Sequence, residues 1–526
     1  MNILPSVIKI QKKDNYFHVD GKLLSEEKNI NVNLLNQKFN NFFKDRNIRQ
    51  IILSSSNNFS FLINKKFKIK DLIIKSDITL NKLVYIVKSP AIKKYFNNLK
   101  EKIELIDHRI SLIYKKDFFD ITGKGKLSFE DISDKLSYKI TKQKDTSKIK
   151  LNINFDKNQI HLNSLAYIKK RNSNSNLIID GIYKKNDSFL IKELSFKENK
   201  NSFLVKDLNL NKNLKFSAVK SIKLNYINEH EIHNKISINK NKKDYQIQGE
   251  SFDISKLIDE LSNDDSKSSI SNNFNSKINI DILKTYLDKK PFVNNVKGNL
   301  NFRDNKINAL KLESLFLNKK KLKLTINTNN QDEKITILST DYPKPLVNRN
   351  DFIKGFEEGN LYYYSIKKNN LSKSVLKIDN FKVQEVPVLA KLLTLASLQG
   401  IADILTGEGI RFSNMEMKFS NKKGLMTIDE LYAIGPAISI LMEGYIESKK
   451  LISLRGTLVP ATTINKKISS IPLLGKILVG KKVGEGVFGV SFKIKGAPKN
   501  LKTTVNPVKT LTPRFITRTL EKIKKD

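Results

Sequence analysis

Few side chains in this sequence could ligate, attack or shuttle a proton. Five His lie in the first half of a 526-residue chain, and Cys and Trp are absent. Without Cys there are no disulfides, thiolate metal sites, iron–sulfur clusters or cysteine nucleophiles. His230-Glu-Ile-His233 resembles a metal motif, but its two His are three apart in an expected strand and face opposite sides. Metalloprotease chemistry needs them four apart on one helix face. Asp117/Asp120 and Asp264/Asp265 are close in sequence but lack a partner, and read as solvated turn residues. Gly484-Glu-Gly486-Val-Phe488-Gly489 lacks the Lys-Ser/Thr of a phosphate loop and leads into a strand, so it reads as a tight turn. The expectation is a protein with no catalytic residues, no metal and no cofactor.

The charge balance points to surfaces instead. Lys and Arg number 95 against 53 Asp and Glu, a net charge of +42. A field of that size suits nucleic acid or an anionic membrane. Yet 85 of the 95 are Lys and 10 are Arg. Nucleic-acid readers favour Arg and interleave it with stacking aromatics, which no basic block here does. Lys, Asn and Ile rise together, as AT-rich codon usage would produce. Two readings stay open: compositional drift, and a preference for anionic surfaces with lipid headgroups ahead of nucleic acid.

Stepping from residues to elements, period-two alternation dominates to about residue 345. Leu151-Asn-Ile153-Asn-Phe155 is followed by Ile160-His-Leu162. Ile222-Lys-Leu224-Asn-Tyr226, Ile278-Asn-Ile280-Asp-Ile282 and Leu322-Lys-Leu324-Thr-Ile326 repeat it, with Leu300–Phe302 and Ile335–Leu338. Each puts apolar side chains on one face and Lys, Asn or Asp on the other. Turn residues such as Lys157-Asn158 and Lys185-Asn-Asp187 lie between, predicting an antiparallel meander with one wet face. Short helices are predicted over Asn33–Phe43, Pro90–Leu99 and Ile254–Leu261, and Ser262–Asn275 reads as a polar linker. Further on, a helix is predicted over Val386–Leu405, with Leu389, Leu392, Leu393, Ala396, Ile401 and Leu405 near one face. Strands are predicted over Ile410–Phe419, Leu425–Ile434, Ala437–Ile446, Ile452–Val459 and Val487–Ile494, with an apolar helix over Ile464–Val479. A basic amphipathic tail, Arg514–Lys525, closes the chain. No stretch reaches the ~20 apolar residues of a membrane span, and the start lacks the cationic region of a signal peptide.

The last part of the chain also carries a resemblance. Phe381-Lys-Val-Gln-Glu-Val386-Pro387, Leu395-Ala396-Ser-Leu398-Gln-Gly400-Ile-Ala402-Asp403 and Gly407-Glu-Gly409-Ile-Arg-Phe412 come first. Gly435-Pro436-Ala437, Gly456-Thr-Leu-Val-Pro-Ala461 and Ile471-Pro472-Leu473-Leu474-Gly475 follow, then Gly484–Val490 and Val505-Asn506-Pro507. In that order, over about residues 375–515, they resemble the AsmA-like C-terminal domain of YhdP-type proteins, relatives of TamB. The resemblance implies a non-enzymatic carrier of phospholipid between the inner and outer membranes of a Gram-negative-type cell envelope. It implies a periplasmic place and an inner-membrane anchor in the full-length protein, which this sequence lacks. Envelope proteins at the two ends are the other partners it suggests; nucleic acid is not among them.

The expected fold is therefore mainly β: an elongated antiparallel sheet curled into an apolar groove, with a few short helices mostly towards the C-terminus. Its sections are 1–261 and 276–375, separated by the linker 262–275, and an AsmA-like domain over 376–526. A diacyl lipid exposes around 30 methylenes, so water crossing costs on the order of 25 kcal/mol and the groove must be continuous. Some 25 strands at about 4.8 Å spacing would span about 120 Å. The candidate lining residues are Leu151, Ile153, Phe155, Ile160, Leu162, Ile222, Leu224, Ile278, Ile280, Ile282, Leu322, Leu324 and Ile326. Candidate membrane contacts are Arg514, Phe515, Ile516, Leu520 and Ile523. Three alternatives remain: the stripes close as an ordinary sandwich, the chain is a structural assembly factor for outer-membrane biogenesis that moves no lipid, or it is a polysaccharide-acting β-solenoid, for which the carboxylate and aromatic cluster is missing.

Overall fold

Alternating Ile, Leu and Val with Lys, Asn and Ser sets a two-residue period, and the computed structural model follows it into strands. Described are residues 7–32, 47–87, 102–129, 132–262, 275–304, 306–348, 355–384, 387–395, 408–447, 450–460, 490–498 and 500–506. The predicted helices at 33–43, 90–99 and 464–479, the linker residues 263–274 and the tail 514–525 fall outside them.

The chain divides into two compact units, Met1–Ser276 and Lys277–Asp526. The first holds β1 (Val7–Lys13), β2 (Tyr16–Ile30), β3 (Ile48–Asn64), β4 (Ile69–Ile86) and β5 (Lys102–Lys115). Next come β6 (Phe118–Phe129), β7 (Ile132–Gln143), β8 (Thr146–Asn154), β9 (Ile160–Leu162), β10 (Tyr167–Lys169) and β11 (Ser175–Lys184). It ends with β12 (Ser188–Glu198), β13 (Asn201–Asn211), β14 (Phe216–Ala218), β15 (Ser221–Ile227), β16 (His233–Asn241), β17 (Asp244–Asp253) and helix α1 (Ser255–Ser262).

The second unit takes up β18 (Ser276–Tyr286), β19 (Phe292–Arg303), β20 (Lys306–Leu315), β21 (Lys321–Thr328) and β22 (Lys334–Thr340). Helix α2 (Lys344–Val347), β23 (Glu357–Lys368), β24 (Leu371–Val383) and helix α3 (Pro387–Leu395) follow. The section boundary expected at 375/376 falls inside β24. The unit closes with β25 (Ile410–Lys422), β26 (Leu425–Ile434), β27 (Ile438–Glu447), β28 (Leu451–Pro460), β29 (Val490–Ala497) and β30 (Asn500–Asn506).

Twenty-eight of these strands belong to a hydrogen-bonded sheet that is not closed into a barrel, and β9 with β10 forms a separate pair. Pairing is antiparallel between neighbours: β7 with β8, β8 with β11, β13 with β15 in the first unit, and β19 through β30 in order in the second. Tight turns join them, with Asp14, Asp117, Lys144, Asn186 and Lys242 in the left-handed region that short polar side chains tolerate best.

Among the described residues each unit has a dry cluster. In the first, Phe155, Tyr167, Phe196, Phe203 and Tyr226 pack together where segment 156–173 folds over the sheet. In the second, α3 lowers Leu389, Leu392 and Leu393 onto Phe381, Phe412, Ile378, Ile410 and Ile438. Phe356, Phe381 and Phe412 stack with centroids 5.3 Å apart at each step. The described residues between 375 and 515 thus contribute a packed core. Its glycines serve close approach. A Cβ on Gly435 would sit 2.3 Å from the Arg411 carbonyl oxygen, and one on Gly456 2.2 Å from that of Leu441.

Candidate functional site

Residues directly opposite in an antiparallel pair share a face, so the register shows what each face carries. In the first unit, Leu151, Ile179, Leu194, Val205, Ile222, Ile238 and Ile247 lie opposite one another on seven successive strands. Two residues along, Leu136, Ile153, Leu177, Phe196, Phe203, Leu224 and Ile236 make a second row. In the second unit, Leu312, Leu324, Leu338, Tyr363, Leu376, Met417, Leu431 and Met442 run across eight strands.

All seven residues of the first row, and all eight of the last, are only half-buried. A second sheet packed face to face would bury every one of them. Half-exposure of a large aliphatic side chain forgoes roughly 1 kcal/mol of burial. In the second unit Leu338, Tyr363, Leu376 and Met442 pack against the dry cluster, so the row outside both clusters is that of the first unit. Contiguous apolar surface on a folded chain signals a partner of its own kind.

The predicted lining residues divide accordingly. Leu151, Ile153, Ile222, Leu224 and Leu324 lie in these rows, Ile153 buried in the dry cluster with Leu224 against it, and Leu322 and Ile326 are on the same face of β21, Ile326 buried. Ile278, Ile280 and Ile282 alternate along β18 with Ile282 buried. Phe155, Ile160 and Leu162 do not join the rows. The expected strand at Ile160 leaves the sheet and pairs as β9 with β10, so these three pack inside the dry cluster. Asn158, expected in an exposed turn, is buried and bonds Asp134 through its side chain at 2.7 Å. Arg514, Phe515, Ile516, Leu520 and Ile523 lie outside the described residues.

His230 and His233 go to different tasks. His230 sits in the turn before β16 rather than in a strand, with Nδ1 2.9 Å from the Asp253 carboxylate. Asn228 and the Ser255 backbone N–H also donate to Asp253. Burial pushes this carboxyl up, but the bonds from Ser255, His230 and Asn228 prevail and hold it below the usual aspartate range. The exposed His233 meets Asn225 at 2.6 Å. Asp120 accepts from Thr141 and faces Lys139, while Asp117 occupies a turn. A further buried group ties down segment 156–173. Lys169 donates to the carbonyl oxygens of Asp156 and Asn158, and burial lowers its pKa. Tyr167 donates to Glu198, and burial with that carboxylate raises the phenol strongly.

One feature lies on the other face. A concavity of about 1060 Å³ spans β2 to β8 and reaches β11. Its side-chain lining comes from two wet-face rows. One is Ser54, Thr79, Arg109, Lys124, Ser137 and Asn152; the other is Ser56, Asp77, Ser111, Thr122, Lys139 and Lys150. The sequence alone does not assemble these residues. Each strand shows a polar side, but which cations face each other depends on register.

Fold and faces define an open, largely single-layered antiparallel sheet protein with one apolar and one polar face. No protein-family model and no characterised protein matches the chain. Among the described residues no helix is long and apolar enough to cross a membrane.

Proposed function

We propose that the chain is a non-enzymatic lipid carrier of a Gram-negative-type cell envelope, holding phospholipid acyl chains on its open apolar face between the inner and outer membranes. The observation that carries this reading is the unbroken row Leu151, Ile179, Leu194, Val205, Ile222, Ile238 and Ile247, apolar on every strand and half-buried throughout. An acyl chain laid on such a row covers surface that water otherwise wets, at roughly 25 cal/mol per Å². The resemblance of about residues 375–515 to AsmA-like domains supports the envelope setting.

The test is lipid content. Protein purified from membranes and extracted with organic solvent should release phospholipid in mass spectra. Leu194→Asp puts a charge in the row and should lower that content severalfold, whereas Lys206→Ser on the wet face should not. Lipid-free wild-type protein, as an assembly factor would be, sinks the reading.

A further inference from the structure

The wet-face concavity gathers two pairs of facing cations. Arg109 on β5 lies directly opposite Lys124 on β6, and Lys139 on β7 directly opposite Lys150 on β8. Like charges directly opposite across a sheet are destabilising. Lys139 and Lys150 each have an ion pair, with Asp120 at 3.7 Å and Asp180 at 3.4 Å. Among the described residues no ion pair involves Arg109 or Lys124. Of the residues lining the hollow, Asp77 is the one acid.

We infer that this concavity binds a linear acidic polysaccharide, one bearing about one carboxylate per sugar. Four cations stand one per strand on four successive strands as a staggered ladder: each facing pair lies near the ~4.8 Å strand spacing, and the diagonal step from Lys124 to Lys139 is about 7–8 Å. That ladder suits a polymer with an anion at every sugar better than an isolated phosphate. Between the cations the floor is made of short hydroxyl side chains, among them Thr79, Ser111 and Thr122, which match sugar hydroxyls. Nucleic acid fits less well. The one aromatic residue at the hollow, Tyr138, points to the opposite face with its ring over Gly123, which leaves no stacking platform. A flat membrane does not enter a hollow. The site lies on the face opposite the apolar rows, so it stands or falls independently of lipid carriage.

The test uses the full chain and a fluorescent oligogalacturonate, read by anisotropy. An oligonucleotide of equal charge and anionic vesicles serve as rival probes at the same salt. Because a +42 chain attracts any polyanion weakly, the control is a pair of exposed wet-face lysines outside the hollow, Lys197→Ser with Lys223→Ser. Arg109→Ser with Lys124→Ser should weaken glycan binding at least about tenfold, and the control pair less than about twofold. Lys139→Ser with Lys150→Ser should repeat the loss. Thermal midpoints should not fall in either trough variant, since each removes facing cations. Equal losses from trough and control pairs overturn the site. So does tighter binding of the oligonucleotide or vesicles, or no glycan binding at all.

Discussion

At the residue scale, Asp253 shows a buried carboxylate kept ionised by its donors. Its folded pKa lies below the ordinary value near 3.8 because the hydrogen bonds from Ser255, His230 and Asn228 outweigh the penalty of burial. A depressed carboxylate pKa contributes stability above the unfolded pKa, and that stability is lost as pH falls through the folded value. Asp253→Asn should therefore cost about 2 kcal/mol at neutral pH, the scale of hydrogen bonds to a buried charge. The gap to wild type should narrow as pH drops below about 3.8. Urea unfolding across pH 2–7 checks this, and a gap constant with pH would show that the carboxylate charge is not what the network holds. The sequence displays His230 and His233 as a pair, yet their separate partners come from β17 and β15. No local spacing encodes that.

At the element scale, α3 is the lid of the second unit's dry cluster. Leu393 is fully buried beneath it, with Leu389 and Leu392 beside. Leu393→Ala should destabilise this unit by about 2–5 kcal/mol, the usual range for emptying a buried leucine site. Hydrogen exchange should then quicken in β24 and β25 while β11 to β13 stay protected. Uniform quickening across both units would contradict a local core. Elements such as β8, β15 and β21 were readable because strict alternation needs no tertiary information. Faces were less readable. Leu105 and Ile110, five apart, share the apolar face because an irregularity between Ile106 and Arg109, with Asp107 at φ 54°, resets the alternation. A slip of one residue reverses every later side chain, so Arg109 and Lys124 could not be matched from sequence. The same limit hid the departure of Ile160 and Leu162, whose pattern is that of a sheet strand while the buried Lys169 and Tyr167 hold their segment elsewhere.

At the scale of the whole molecule, lipid carriage requires every part of the apolar face to stay apolar. A single ionised side chain in the path must shed its water for an acyl chain to pass, at a penalty of several kcal/mol to the charge. Ile280→Asp on β18 and Leu324→Asp on β21 are both half-buried positions, so each should leave the fold largely intact while blocking passage. Cells relying on either variant should become sensitive to detergent. If both variants keep the envelope sound, those strands do not line the route. At this scale the outline was legible in the alternation, which specifies strands before any pairing is known.

Nearest-neighbour pairing has a consequence for ancestry. Between β19 and β30 each strand bonds the ones before and after it in the chain. A duplicated or deleted hairpin would keep the flanking turns on their own rims and leave the alternation in phase. Such a protein can lengthen or shorten in two-strand steps without refounding its interior.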